Sequence, residues 1–153
     1  MVSRLTCVQM GAIGWALLIF VLSSLPKLPT IPTGFRPIDK LAHFTEYFVF
    51  GVLLAGAFAQ SSGHHLMRRS LVTAGLLGLA YAVLDEFHQK FVPGRFATVE
   101  DAIADALGIA VALFVYQAWH RRRMGAQTAS GALAKGAARS GAATSTLPRG
   151  DGS

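Results

Sequence analysis

Two segments of the chain combine carboxylate, histidine and cationic side chains at the borders of long apolar stretches. They read D-K-L-A-H-F-T-E-Y over residues 39–47 and D-E-F-H-Q over residues 85–89, the second running on to P-G-R at 93–95. Side chains of these types can transfer protons, bind phosphate through lysine and arginine, or coordinate a metal ion. Because a charge near hydrocarbon costs several kcal/mol, we expect these residues to be paired, to face water or to form a functional site.

Helical spacing predicts how these side chains are directed. Residues three or four apart share one face of a helix, so His43 and Tyr47 are expected to point into the same cavity. Asp85 and Glu86 are directed about 100° apart, and we expect only one of the two to face inward.

A third polar element places Asp101 and Asp105 four residues apart, and therefore on one face of a helix. Two carboxylates in that arrangement repel each other unless a cation, a proton or an arginine lies between them. Arg95 precedes this helix in the sequence and is the expected partner of the two acids.

The elements that must position these residues are membrane helices. Only 14% of the 153 residues are charged and 52% are hydrophobic, whereas an average soluble domain has about 25% charged residues. A helix crosses a bilayer with about 20 mostly apolar residues. Four stretches approach that length, over residues 5–25, 41–60, 70–84 and 99–119. The third stretch reaches spanning length only by including a polar turn at 85–89, which we place at the interface or in a polar cavity.

We therefore predict an all-α integral membrane protein, a bundle of four transmembrane helices with a disordered C-terminal tail. Residues 1–120 are expected to form the membrane domain. Residues 121–153 are basic and rich in Gly, Ala and Ser, and they contain too little apolar surface to offset the entropy lost on ordering. The first apolar stretch is too long for a secretory signal and is expected to be a retained helix. Prolines at 26, 29, 32 and 37 are expected to keep the connector that follows it extended.

Basic residues predict the orientation in the membrane. With four spans both termini lie on one side, and the basic residues that gather there are Arg4, Arg68, Arg69 and the run at 121–123. An excess of lysine and arginine marks cytoplasmic loops. We therefore expect a multi-pass protein of the cell (inner or cytoplasmic) membrane with both termini in the cytoplasm. The three polar elements then meet at the extracytoplasmic face.

The formal charge of +6 does not indicate nucleic-acid binding, because the basic residues are not interleaved with aromatic residues. The single cysteine, Cys7, excludes an internal disulfide and a thiolate zinc cluster. No cofactor and no metal ligand is assigned, since no HExxH-type spacing occurs. A metal-dependent variant of the site would use His43 with Glu86 and Asp101, and His88 or Asp105 as further ligands.

Three ordered motifs together resemble the VanZ-like family. They are D-K-x-x-H-F-x-x-Y-x-x-x-G at 39–51, D-E-x-x-Q-x-F-x-P-G-R at 85–95 and D-x-x-x-D-x-x-G at 101–108. The resemblance covers residues 5–119. It implies a small multi-span membrane protein whose founding relative is linked to low-level teicoplanin resistance, with no settled biochemical activity. Where the family often has asparagine, this chain has Asp105, which changes the charge of the site.

The polar residues leave three functions open. A binding site would hold, or modify, an anionic lipid head group or cell-envelope precursor, with Lys40 and Arg95 as phosphate donors. The resemblance adds an accessory role in glycopeptide tolerance. A scaffolding protein would use the same residues only to dock helices. A membrane hydrolase or transferase would use Glu86 or Asp101 as general base and His43 as acid or base.

The candidate site residues follow from these functions. The candidate catalytic residues are Glu86, His43 and Asp101, and the candidate ligand-binding residues are Asp39, Lys40, Gln89, Arg95 and Asp105. The expected partners are membrane lipid and an anionic lipid-linked or cell-wall precursor, without nucleic acid. Association with further copies of the chain is left open. Transport is disfavoured because the charges gather at one face and not at successive depths.

Overall fold

The computed structural model describes residues 7–26, 37–61, 67–95 and 97–144. Within these ranges the chain forms α1 (Cys7–Ser24), α2 (Pro37–Ser61), α3 (Met67–Gln89) and α4 (Val99–Thr144), and no strand occurs in them. All four helices are long and apolar enough to cross a membrane. The predicted all-α architecture with four membrane helices is therefore confirmed. The proline-rich connector at 27–36 lies outside the described residues.

Helices α2 and α3 both extend beyond the apolar limits of 41–60 and 70–84 read in the sequence. Helix α2 begins at Pro37, because proline is well tolerated in the first turn and Asp39 there complements the helix dipole. Helix α3 has 23 residues and continues through Gln89, so residues 85–89 are its last turn and not a loop. The third span is full length because its polar end has partners on neighbouring helices.

The expected disorder of the tail is corrected for the part that the structure describes. Residues 121–144 continue α4, which is 46 residues long. Alanine has the highest helix propensity, and a helix that extends an existing one avoids the cost of nucleation. The chain divides into two units, Met1–Tyr116 and Gln117–Ser153. Within the second unit the Arg123 guanidinium lies 4.6 Å from the centre of the Trp119 ring.

The first unit is a helical bundle in which α2 packs against both α1 and α3. Its core contains Ile19, Tyr47 and Ile109, which are fully buried, together with Phe50 and Leu54. Many large apolar side chains point outward instead, among them Leu17, Leu76, Leu84, Val83 and Phe114. Outward apolar side chains are what a helix facing lipid requires, since no aqueous solvent surrounds it there.

Glycines allow α2 and α4 to approach until their backbones are nearly in contact. A Cβ atom on Gly108 would collide with the Phe44 carbonyl group, and one on Gly51 would lie 2.7 Å from the Ala112 Cβ atom. Small residues serve this purpose in membrane helices, where close backbone packing replaces the hydrophobic effect. This approach brings the first turns of the two helices within reach of each other's side chains.

Candidate functional site

The three polar elements meet at one end of the first unit, which we call the polar end. It consists of the last turns of α1 and α3, the first two turns of α2 and α4, and the described loop residues 90–95 and 97–98 between α3 and α4. Side-chain contacts connect α2 to α4 and α1 to α3 at this level. The convergence expected from the sequence is therefore present in the structure.

The centre of the polar end is formed by His43, Glu86 and Asp105, which we call the central cluster. His43 Nδ1 lies 3.0 Å from Asp105 Oδ1, which is within hydrogen-bond distance. The same nitrogen lies 3.9 Å from Glu86 Oε1. All three residues are buried, with exposed fractions of 7%, 8% and 0% in that order. Tyr47 lies fully buried on the same face of α2 as His43, as its spacing predicted.

A second group of contacts holds the first turn of α4 against α2. Lys40 Nζ donates to Asp101 Oδ1 at 2.6 Å and to Thr98 Oγ1 at 2.8 Å. The Thr98 hydroxyl donates to Asp101 Oδ2 at 2.7 Å, and its oxygen lies 3.3 Å from the Asp101 backbone nitrogen. Thr98 is thus the N-cap of α4, and Asp101 takes the third helical position that acidic residues favour in a capping box.

The loop after α3 contains a tight turn that directs Arg95 toward α1. The Arg95 backbone N–H donates to the Val92 carbonyl at 3.2 Å, and Gly94 has a φ angle of 76°. Proline followed by glycine is the sequence preferred for a type II turn, because the third position requires a positive φ angle. The Pro93-Gly94 pair therefore fixes the direction in which the arginine leaves the loop.

Arg95 binds the C-terminal end of α1 and does not bind the acids of α4. Its Nε atom donates to the Leu25 carbonyl at 3.3 Å, and Nη2 donates to the Leu22 carbonyl. Its Nη1 atom also lies 3.4 Å from the Gln89 amide oxygen. The last carbonyl groups of a helix have no partners within it, and a cation satisfies them well. The expected pairing of Arg95 with Asp101 and Asp105 is therefore wrong.

Both acids at the end of α3 are buried, which corrects the expectation that only one faces inward. Asp85 Oδ2 accepts a hydrogen bond from Gln89 Nε2 at 2.9 Å, and that nitrogen lies 3.4 Å from Ser23 Oγ. Glu86 is directed to the central cluster instead. Both acids are enclosed because α1 lies on the side of Asp85, and the second turns of α2 and α4, with His43 and Asp105, lie on the side of Glu86.

The candidate residues from the sequence therefore fall into distinct groups. The central cluster contains His43, Glu86 and Asp105, the adjoining pair contains Lys40 and Asp101, and the side nearest α1 contains Gln89 and Arg95. Asp39 is half-buried in the first turn of α2. His88 contacts Ser24 Oγ at 3.0 Å and the Phe20 ring, outside the central cluster.

Sequence reasoning missed two polar partners at this end. Thr98 has a readable signal, because Thr-x-x-Asp before an apolar helix is a capping-box pattern. Ser23 has none, since it lies 66 residues before Gln89 and no local spacing connects them.

The interior of the polar end is rich in acids. Its buried carboxylates are Asp85, Glu86, Asp101 and Asp105. Among the described residues, Asp101 is the one of these four with a lysine or arginine contact. His43 can exchange protons, and together with two carboxylates it offers one nitrogen and several oxygen atoms to an ion.

Comparison with protein families found a match to the model described as VanZ/LLP1, over residues 7–120. This range covers all three polar elements and most of the chain. Comparisons with curated proteins and with solved structures found no match.

Proposed function

Because the chain belongs to the VanZ/LLP1 family and is a multi-pass membrane protein, we propose that its polar end binds an anionic head group. The ligand is the phosphate of a membrane lipid or of a lipid-linked cell-envelope precursor. The observation that carries this proposal is the pair of half-buried cations, Lys40 and Arg95, which are held in place but keep N–H donors without a partner among the described residues.

Arg95 and Lys40 have donor capacity beyond their contacts with the residues that the structure describes. The Arg95 guanidinium reaches the Leu22 and Leu25 carbonyl groups at the end of α1 and one amide oxygen, and these described contacts leave an N–H on each terminal nitrogen. The Lys40 ammonium contacts one carboxylate and one hydroxyl, which leaves a third N–H. Cations fixed by such contacts lose little side-chain entropy when a phosphate binds, and this favours affinity.

The proposed orientation places this site at the extracytoplasmic face of the cell membrane. It is supported by the exposed Arg68 and Arg69 at the start of α3, which is the opposite end of that helix. A site at the outer face would meet lipid head groups and exported precursors. An accessory role in tolerance to glycopeptide antibiotics fits such a ligand and comes from family resemblance.

Lipid binding by the purified protein in detergent tests this proposal. Native mass spectrometry and the change in melting temperature would report binding of phosphatidic acid, with diacylglycerol as the control that lacks phosphate. We expect one phosphatidic acid per chain and no specific diacylglycerol. A second series with polyprenyl phosphate would distinguish an envelope precursor from bulk lipid. Equal binding of diacylglycerol would contradict the proposal.

Arg95→Gln tests the residue that carries most of the donor capacity. Because a charge-assisted hydrogen bond contributes about 1.5–3 kcal/mol, we expect roughly ten- to hundredfold weaker binding of phosphatidic acid. Lys90→Gln is the matched control, since Lys90 is exposed on the same loop, and its affinity should equal that of the wild type. A folded Arg95→Gln protein with a lower melting temperature and unchanged affinity would favour a scaffolding role instead.

The contact between His43 and Asp105 favours a second candidate, a membrane hydrolase or transferase acting on the same head group. A carboxylate that holds a histidine ring is the arrangement used in general acid–base catalysis. Asp101, expected from the sequence as an alternative to Glu86 as general base, is occupied by Lys40, whereas Asp105 contacts the histidine. With divalent metal ions present, the wild type should release phosphate from polyprenyl diphosphate, and His43→Gln should not. Folded wild-type protein without release would exclude this candidate.

A further inference from the structure

Two carboxylate oxygens of the central cluster have no hydrogen-bond partner among the described residues. They are Oε1 of Glu86 and Oδ2 of Asp105, and neither atom is accessible to solvent. Burying a carboxylate oxygen without a partner is unfavourable, and native proteins seldom do so unless an ion, a water molecule or a proton completes the group. The two oxygens therefore indicate that a further species belongs in the cluster.

The donor atoms of the cluster are close enough to share one ion. One atom from each of His43, Glu86 and Asp105 lies within 4.8 Å of the others. The nitrogen Nδ1 of His43 is 3.0 Å from the nearer Asp105 oxygen and 3.9 Å from Glu86 Oε1. Ligands bonded to a tetrahedral ion at about 2.0–2.1 Å are separated by roughly 3.4 Å, and the two distances from His43 differ from that value by about half an ångström or less.

We propose that His43, Glu86 and Asp105 form a binding site for a divalent transition-metal ion of the Zn²⁺ or Mn²⁺ type. One imidazole nitrogen and two carboxylate oxygens are ligands that these ions accept. The histidine disfavours Mg²⁺ and Ca²⁺, which prefer oxygen ligands throughout. Three protein ligands leave a coordination position for water. The site is defined by these residues alone and does not depend on the lipid ligand proposed above.

The negative charge of the central cluster matches that of a divalent cation in magnitude. Lys40 neutralises Asp101, and Asp85 faces the Gln89 amide, so neither of these acids belongs to the cluster. The remaining two carboxylates, Glu86 and Asp105, have one histidine between them. A single divalent ion would balance their charge and would give Glu86 Oε1 a partner, and Asp105 Oδ2 as well if Asp105 binds the ion through that oxygen.

The proposed ligands differ from the metal-dependent set considered from the sequence, in which His43 and Glu86 were joined by Asp101. Asp101 is bound to Lys40 and to a hydroxyl group, and His88 contacts α1, so both are engaged elsewhere. The three ligands of the proposed site come from α2, α3 and α4, one from each helix. An ion that binds the folded bundle at this point should therefore raise its thermal stability.

Metal binding by the purified full-length chain in detergent tests the proposal. The protein is stripped with a chelator, and Zn²⁺ or Mn²⁺ is added in measured amounts. Elemental analysis after desalting gives the stoichiometry, competition with a chromogenic chelator gives the affinity, and the melting temperature reports the effect on stability. Asp105→Asn and Glu86→Gln preserve side-chain size while removing one ligand charge. His88→Ala is the control for binding by other histidines at the same end.

We expect one ion per chain, a higher melting temperature with metal in the wild type and in His88→Ala, and affinity at least about tenfold weaker in the two cluster variants. Absence of stoichiometric metal from folded wild-type protein would overturn the proposal. Equal affinity of folded Asp105→Asn and Glu86→Gln proteins would also overturn it. If neither variant folds, Co²⁺ binding to the wild type decides. Visible absorption bands of a nitrogen- and oxygen-coordinated ion support the site, and their absence overturns it.

Discussion

The buried carboxylates of the polar end have different partners, and the partner decides what each acid can do. Asp101 accepts hydrogen bonds from Lys40 and from the Thr98 hydroxyl, so its charge is already used to hold two helices together. Glu86 and Asp105 keep oxygens without a partner. The residues with capacity for a ligand are therefore those of the central cluster and not every acid of the three motifs.

Removing one member of the Lys40–Asp101 pair should destabilise the bundle. The two side chains are 18% and 8% exposed, so a single substitution leaves a largely buried charge without its partner. For Lys40→Met or Asp101→Asn we expect the free energy of unfolding to fall by about 3 kcal/mol, near the lower end of the range for buried pairs. Chemical denaturation of the purified protein in detergent, followed by circular dichroism, measures this loss.

The double variant Lys40→Met with Asp101→Leu distinguishes the interaction between the two residues from the separate effect of each substitution on stability. Replacing both charges removes the cost of an unpaired ion, and we expect most of the lost stability to return. Additive losses in the double variant would show that the two residues act independently, contrary to the contact of 2.6 Å between them.

Helical spacing was enough to predict which side chains share a face, but it did not predict their partners. His43 and Tyr47 lie on one buried face as expected, because that relation depends on residues four apart within α2. The partner of Arg95 was missed, because it depends on where the loop after α3 ends relative to α1. Such a relation between distant parts of the chain is set by packing and has no local pattern in the sequence.

Close contact between α2 and α4 places the polar residues opposite one another, and one glycine should control it. Gly108→Ala would push a methyl group into the backbone of α2 at Phe44 and Phe48. We expect the free energy of unfolding to fall by about 3 kcal/mol, the upper part of the range for overpacking. Gly14→Ala is the matched control, since a Cβ atom there meets nothing within 4 Å.

Gly14→Ala should leave stability unchanged or raise it slightly, because alanine favours helix more than glycine does by about 1 kcal/mol. Both variants are measured by denaturation in the same detergent. A neutral Gly108→Ala protein would mean that the two helices separate without cost. Close backbone packing at Gly108 would then not be what holds Lys40 and His43 near the acids of α4.

The membrane helices could be predicted because a run of about 20 mostly apolar residues has the length and composition of a transmembrane helix. Each predicted stretch corresponds to a helix. The main differences are that α2 begins at Pro37, α3 extends over Met67–Gln89, and α4 continues to Thr144. The segment after residue 120 was interpreted from its low apolar content, which argues against a packed core. Its alanine content favours helix without a core, and that property decides the structure of the described part.

The proposed orientation of the protein makes the two ends of α3 chemically distinguishable in intact cells. In a Cys7→Ser background, Lys90→Cys should react with a membrane-impermeant maleimide added outside, because Lys90 is exposed at the polar end. Arg68→Cys, exposed at the other end of α3, should react only after the cells are permeabilised. The reverse pattern would place the polar end in the cytoplasm and would remove exported precursors from the candidate ligands.

The contacts of Arg95 also bear on how the protein is made. The carbonyl groups that it binds, at Leu22 and Leu25, precede it by 73 and 70 residues. During synthesis α1 enters the membrane long before this arginine leaves the ribosome. Until the loop after α3 is complete, the Leu22 carbonyl has the Leu25 N–H as its partner, whereas the Leu25 carbonyl depends on water or lipid head groups. The first helix to be inserted therefore gains the hydrogen bonds from Arg95 at its C-terminal end only after α3 and the loop that contains this arginine have been made.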